Sequence, residues 1–219
     1  MQQIHRTKKM AVLAMLSALA FVAVIVCRIP VVLFLKYEPK DVIITLGGFL
    51  YGPLAAVAIS VVTALVELFT ISDTGIWGFF MNVLSSCAFA VVASIIYHRR
   101  RTLLGAAIAL LAGVVATTAV MLLWNYLVTP IYMGVPRGEV VKLLIPAFLP
   151  FNLLKGTLNA GLLMLLYQPV VTALRRARLV EPTGTPKRGR WRTYLGVCAV
   201  ALVVVGGCVL AVLAMRGII

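Results

Sequence analysis

The sequence reads as an all-α, polytopic membrane protein. Of its 219 residues, 63% are hydrophobic and only 12% are charged, too little charge to cover the surface of a soluble domain. The apolar stretches are continuous and recur along the whole length, unlike the alternating ten-residue segments of a barrel. The net charge is +14, but the positive residues cluster between apolar runs. That is a topology signal rather than a nucleic-acid footprint.

The first apolar run, 10–27, begins after Lys9 and lacks an A-x-A-type exit. It therefore reads as a span and not as a cleaved signal peptide. Ala11, Ala14, Ser17 and Ala18 line one flank of this helix. The A-x-x-x-A spacing of Ala14 and Ala18 would let another helix come close, either inside the protein or in a partner.

The next stretch, "FLKYEPKD" (34–41), joins the first two spans with alternating charge, an aromatic residue and a proline. Asp41 is positioned to cap the helix that follows, and Pro39 to set the turn before it. Two readings stand for this segment: a capping loop, or a lid over a site open to the outside.

Residues 41–70 form one apolar run broken by "YGP" at 51–53. Proline blocks helix continuation and restricts the residue before it, so Gly52-Pro53 is a strong turn signal. Charge parity supports two helices, 41–51 and 53–70. The basic clusters are Arg6/Lys8/Lys9, "RRR" at 99–101, and seven Lys/Arg within 175–192. With two helices in 41–70, all three clusters lie on the cytoplasmic side, as the positive-inside rule requires. Arg28, Lys36, Lys40, Arg137 and Lys142 are then left outside. A single helix there would export the "RRR" cluster.

Further spans read at 77–97, 103–129 and 143–174, completing a six-span core with a cytoplasmic N-terminus. The outer boundaries collect polar and aromatic residues. "TISDTGIWGFFMN" (70–82) carries Trp77, Phe79, Phe80 and Asn82, and "LLWNYLVTPIY" (122–132) carries Trp124, Asn125 and Tyr126. Interfacial belts account for the aromatics but not for the asparagines. In "PFNLLKGTLN" (150–159), Asn152, Lys155 and Asn159 follow i, i+3, i+7 spacing and share one helical face. A lysine at mid-bilayer depth costs about 2.5–3.5 kcal/mol on insertion scales. The stripe is therefore expected to face a cavity, with Glu67 of the third span as a candidate charge partner. Pro146 and Pro150 upstream leave open the alternative that Lys155 snorkels to the interface.

The core is assigned to residues 1–176. A basic cytoplasmic linker, 177–193, contains Pro182, Gly184, Pro186 and Gly189 and reads as irregular. The last segment, 194–219, includes an apolar run at 194–215 long enough to span. It would place the C-terminus outside, as a peripheral anchor or packing helix.

Catalysis and metal binding find little support. Cys27, Cys87, Cys198 and Cys208 lie in apolar stretches with no CxxC pair, and His5 and His98 sit beside basic clusters. No metal ligands and no cofactor are expected. There are six acidic residues, and Glu67 is the one deep in a span. A membrane-embedded hydrolase or transferase needs paired acids, a His cluster or a nucleophile–base pair.

Three stretches resemble the substrate-binding S components of energy-coupling factor (ECF) vitamin transporters, most of all the riboflavin-specific group. They are "LKYEPKDVIITLGGFLYGPLAA" (35–56), "TGIWGFFMNVLSS" (74–86) and "FNLLKGTLNAGL" (151–162). The resemblance covers about residues 8–176. It implies a six-helix membrane subunit that binds one vitamin in an outward-facing pocket. Asn152 and Lys155 would then bond the polar edge of the flavin, with Asn125 opposite. Asn82 and Asn159 would add to the pocket, stacking or edge contacts from Trp77, Phe79, Trp124 or Tyr126 would be compatible with it, and Leu35, Lys36 and Tyr37 would belong to a closing loop. The Ala14/Ala18 flank would meet the transmembrane T subunit. The chain has no GxxxxGK[ST] P-loop, so the resemblance implies two separate ATPase subunits as further partners, beside membrane lipid. The seventh segment departs from the family pattern. Another vitamin or precursor is the alternative ligand. A self-sufficient secondary transporter is the alternative mechanism, although it would require internal repeats that are not found.

Overall fold

The computed structural model describes residues 2–32, 35–176 and 190–215. Helix α1 (Gln2–Val26) leads into a hairpin of β1 (Ile29–Val32) and β2 (Leu35–Tyr37), followed by α2 (Lys40–Tyr51) and α3 (Pro53–Thr70). Then come α4 (Gly75–Arg99), α5 (Leu103–Leu127), the short α6 (Thr129–Met133) and α7 (Arg137–Leu143), α8 (Leu149–Arg176) and α9 (Arg190–Met215). Stretches long and apolar enough to cross a bilayer lie at Arg6–Val26, Pro53–Thr70, Gly75–Arg99, Leu103–Leu127 and Arg137–Val170.

The break within 41–70 is present. Gly52 takes φ +99°, a conformation that side chains other than glycine's avoid, and Pro53 opens α3 at its first position. Helix α2, at 12 residues, is only about 18 Å long, shorter than the ~30 Å hydrocarbon core. It tolerates this because α1, α3, α4 and α8 surround it. Residues Val42, Ile44, Thr45, Leu46 and Phe49 are all buried, so its polar backbone is screened from lipid by protein.

Two packed layers hold the bundle. Val12, Leu16 and Ala20 of α1 meet Ile44 of α2 and Ala56 and Ile59 of α3. Phe89 and Ala93 of α4 meet Ala106, Ala109 and Leu110 of α5 and Leu163 of α8. The many alanines bring helix backbones close, which is what drives helix association in lipid.

Three features differ from the sequence reading. Strands Ile29–Val32 and Leu35–Tyr37 pair antiparallel, matching Ile29 with Tyr37 and Pro30 with Lys36. Its inward side chains, Val31, Leu35 and Tyr37, pack on Val140, Phe148, Phe151 and Leu158. The helix read at 143–174 begins earlier, because α7 joins α8 through a π-helical turn, Leu144–Phe148. Pro146 lies in that turn and Pro150 just after it, so the wider turn absorbs their missing N–H groups without ending the rod. Finally, α9 starts at Arg190 rather than 194. It lies against α8 at Gly161, where an added Cβ would come within 2.7 Å of Val205 Cγ2. Farther along, Val205, Cys208 and Val212 cover the hairpin cluster. The expected linker at 177–193 falls mostly at 177–189, outside the described residues.

Candidate functional site

At the end of the bundle that carries the hairpin, a cavity of about 180 Å³ lies between the hairpin, α3, α4, α5, α6 and α8. The hairpin segment contributes Arg28, Leu35, Lys36 and Glu38, and α3 contributes Ala64, Glu67 and Leu68. Trp77, Phe79, Met81 and Asn82 come from α4, Met121 and Asn125 from α5, and Tyr132 from α6. Ile71, Ser72, Asp73 and Thr74 of the α3–α4 loop and Phe151, Asn152 and Lys155 of α8 also line it.

Of the residues singled out from the sequence, Asn152, Lys155, Asn125, Asn82, Leu35, Lys36, Trp77 and Phe79 meet at this cavity. Asn159 and Tyr37 do not line it. Asn159 shares a helical face with Asn152, but seven residues along a helix is about 10 Å of depth. It sits beneath the cavity, where Tyr37 Oη donates to its Oδ1 at 2.8 Å and its Nδ2 donates to Asp41 Oδ2 at 3.3 Å. Trp124 and Tyr126, also noted as aromatic neighbours, are not among the lining residues.

Two buried charge groups form the floor, and they correct two expectations. Lys155 Nζ lies 3.3 Å from Asp41 Oδ2; its partner is not Glu67. Glu67 instead takes Lys40, whose Nζ donates to both carboxylate oxygens at 2.8 and 2.7 Å. Asn82 Nδ2 also donates to Glu67 at 2.9 Å, and Lys40 reaches Glu38 at 2.8 Å. The reason is helical geometry. Lys40 and Asp41 are consecutive on α2 and so point about 100° apart, one toward α3 and the other toward α8 and α4. Asp41 is likewise not a helix cap, for the N-cap residue is Pro39 and no side-chain cap bond forms there. Its carboxylate is taken up by Ser86, Asn159 and Lys155. Nor does Lys155 snorkel to lipid: its side chain is 13% exposed and faces the cavity.

Above this floor, Arg28 and Lys36 tie the hairpin to the α3–α4 loop. Arg28 Nε donates to Glu38 Oε1 at 3.1 Å, Arg28 Nη1 to the Ile71 carbonyl at 2.9 Å, and Lys36 pairs with Asp73. Burial would raise the Glu38 carboxyl, but the charges of Lys40, Lys155 and Arg28 outweigh it and hold the group below its ordinary range. The hydrogen bond from Lys36, reinforced by the Arg28 charge, holds Asp73 low as well.

Some lining residues escaped the sequence reading. Phe151 stands four residues before Lys155 and Met121 four before Asn125, so helical spacing from the polar residues would have found both. Arg28, Glu38 and Asp73 sit in connecting segments with no periodicity to point at them. Beside the Arg28 and Lys36 charges already paired with Glu38 and Asp73, the cavity offers the Lys155 ammonium and the side-chain amides of Asn82, Asn125 and Asn152 together with apolar side chains, an arrangement suited to a flat organic molecule with a polar rim. Among the described residues no group of His, Cys, Asp or Glu is placed to hold a metal ion.

On α1, Ala14 and Ala18 are exposed, on a face that continues through Met10, Met15, Leu19 and Val22. Ser17, read with the same flank, turns inward: its Oγ donates to the Leu13 carbonyl and its own carbonyl accepts from Thr63 Oγ1.

Comparison with known proteins agrees with this architecture. The chain is 27% identical over 182 residues to the riboflavin transporter RibU of Staphylococcus aureus (strain TCH60), covering 78% of this chain and 95% of that protein. It is 26% identical over 189 residues to the riboflavin transporter FmnP of Bacillus subtilis (strain 168), covering 80% and 99%. A solved structure, described as "Structure and mechanism of the S component of a bacterial ECF transporter", superposes with a TM-score of 0.68 at 27% identity, covering 78% of this chain and 99% of that one. The model of the family "ECF transporter, substrate-specific component" matches residues 8–167. With the cavity, the helical bundle and this match in agreement, the chain belongs to the substrate-specific components of ECF transporters.

Proposed function

We propose that this chain is a riboflavin-binding S component, capturing the vitamin from outside the cell for uptake driven by separate T and ATPase subunits. The observation that carries the reading is the meeting of Lys155, Asn152 and Asn125 with the apolar side chains of Leu35, Trp77, Phe79, Met121 and Phe151 in one cavity, whose other charged lining residues, Arg28, Lys36, Glu38, Glu67 and Asp73, are paired with one another or with Lys40. The ammonium and amides match the carbonyl- and nitrogen-bearing edge of an isoalloxazine ring, and the apolar side chains match its faces. The relatives named as riboflavin transporters support the same ligand. Asn159, itself bonded by Tyr37, contributes from below by holding Asp41, which orients Lys155. At about 180 Å³ the enclosed space is smaller than the roughly 300–1,000 Å³ usual for ligand pockets. In this reading the hairpin swings outward to admit the vitamin, releasing Lys36 from Asp73.

Protein purified from a flavin-producing host is expected to be yellow and to release riboflavin on denaturation. Apoprotein should then bind riboflavin saturably at one site. Colourless protein with no saturable riboflavin binding would sink the assignment, and release of a different ring compound would reassign the ligand.

The exposed Ala14/Ala18 face is the proposed docking surface for the T subunit, since small side chains let a second helix approach closely. Ala14→Trp or Ala18→Trp should leave flavin binding by the isolated subunit intact and reduce its recovery in complex with the T and ATPase subunits. Loss of flavin binding by the isolated variant would contradict this role. The positive-inside distribution further supports a cytoplasmic N-terminus and an external C-terminus. Reporters inserted at 99–101 and 178–188 should both report the cytoplasm, and an external signal at either would overturn the assigned six-span topology.

A further inference from the structure

A second cavity, of about 760 Å³, opens between α5, α8 and α9 and shares no lining residue with the first. Its wall is almost wholly apolar, with Leu104, Leu111 and Val114 from α5, Met164 from α8, and Val200 and Val204 from α9. The ninth helix makes it a cleft. Where Gly161 lets α9 settle on α8, the two helices close one side, and α5 stands across from them.

The cleft has a definite depth and a charged mouth. Its α5 wall runs from Leu103 to Val114, a rise of about 16 Å at 1.5 Å per residue, roughly half of the ~30 Å hydrocarbon core. It is thus one leaflet deep and ends near mid-membrane. It begins beside Arg99, Arg100 and Arg101, all exposed and immediately ahead of α5. Arg101 also meets His98 Nδ1 at 2.9 Å. The described acidic residues, Glu38, Asp41, Glu67, Asp73 and Glu139, lie toward the other end of the bundle. That leaves this mouth strongly positive.

We propose that the cleft holds one acyl chain of an anionic phospholipid whose phosphate rests on the Arg99–Arg101 cluster. A helix of a partner protein would need a groove running the full membrane thickness, whereas an acyl chain needs the depth of one leaflet. The arginines then select an anionic headgroup, because basic side chains at the membrane surface attract anionic lipid. The second acyl chain stays in the surrounding bilayer.

The test is native mass spectrometry of the full chain in detergent, titrated with phosphatidylglycerol and, separately, with phosphatidylcholine of the same acyl chains. Wild-type protein should retain one phosphatidylglycerol and bind it more tightly than phosphatidylcholine. Arg99→Gln/Arg100→Gln should weaken phosphatidylglycerol binding roughly five-fold per arginine and leave phosphatidylcholine binding unchanged. Ala107→Phe, from a lining position, should weaken both lipids while riboflavin binding persists. A thermal melt identifies a variant that fails to fold, in which case the arginine pair and the wild-type preference decide. Equal affinity of wild-type protein for the two lipids, or unaltered lipid binding by a folded Ala107→Phe, would overturn the proposal.

Discussion

Lys40→Met is expected to destabilise the ligand-free protein by about 3–5 kcal/mol, the range for breaking a buried ion pair by removing one partner. Lys40 is 1% exposed, and its ammonium lies 2.8 Å from Glu38 and 2.7 Å from Glu67. Methionine fills nearly the same volume, so packing changes little. What remains is two carboxylates in a site with little water. Glu38 keeps Arg28 as a donor and Glu67 keeps Asn82, which offsets only part of the penalty. Adding Glu67→Gln to Lys40→Met should recover part of the loss, since one stranded charge is removed. The measurement is thermal unfolding in detergent without ligand. A melting midpoint for Lys40→Met equal to that of wild type would show that the buried charge layer contributes nothing to the fold.

Lys155→Met should act on the ligand more than on the fold. Its ammonium stands at the cavity wall, 3.3 Å from Asp41, where it can turn one proton to a ligand and keep another on the carboxylate. Losing one hydrogen bond that involves a charged group is expected to weaken riboflavin binding by about 1.5–3 kcal/mol, or roughly 10- to 150-fold. Asp41 retains Ser86 and Asn159 as donors. The ligand-free melting midpoint should therefore fall less than in Lys40→Met. A flavin titration beside the same melt distinguishes the two roles. Unchanged affinity together with a stability loss as large as that of Lys40→Met would make Lys155 a purely structural partner of Asp41.

The α2–α3 break, the spans and the polar stripe of α8 were all legible in the residue order. Each rests on a local rule. Continuous apolar runs partition into lipid, Gly52-Pro53 cannot continue a helix, and i, i+3, i+7 spacing puts side chains on one face. The same rules go no further than direction. Asn152, Lys155 and Asn159 do share a face, yet Asn152 and Lys155 reach the cavity while Asn159 lies beneath it. The pairing of β1 with β2 was not legible either. It is stabilised by Phe148, Phe151 and Leu158 packed against Val31, Leu35 and Tyr37, which are more than a hundred residues away in the chain.

From the sequence alone came the class of protein, the helices and the end of the bundle where polar side chains gather. Only the tertiary structure decided which charges meet. Lys155 and Glu67 looked like partners because both are ionisable residues within spanning helices, but Lys40 takes Glu67 and Asp41 takes Lys155. That choice depends on how α2 is rotated between α3 and α8, so that two consecutive residues face different neighbours. Hydropathy and helical period act along one chain segment at a time, whereas the rotation of α2 is set by packing among helices that residue order does not encode locally.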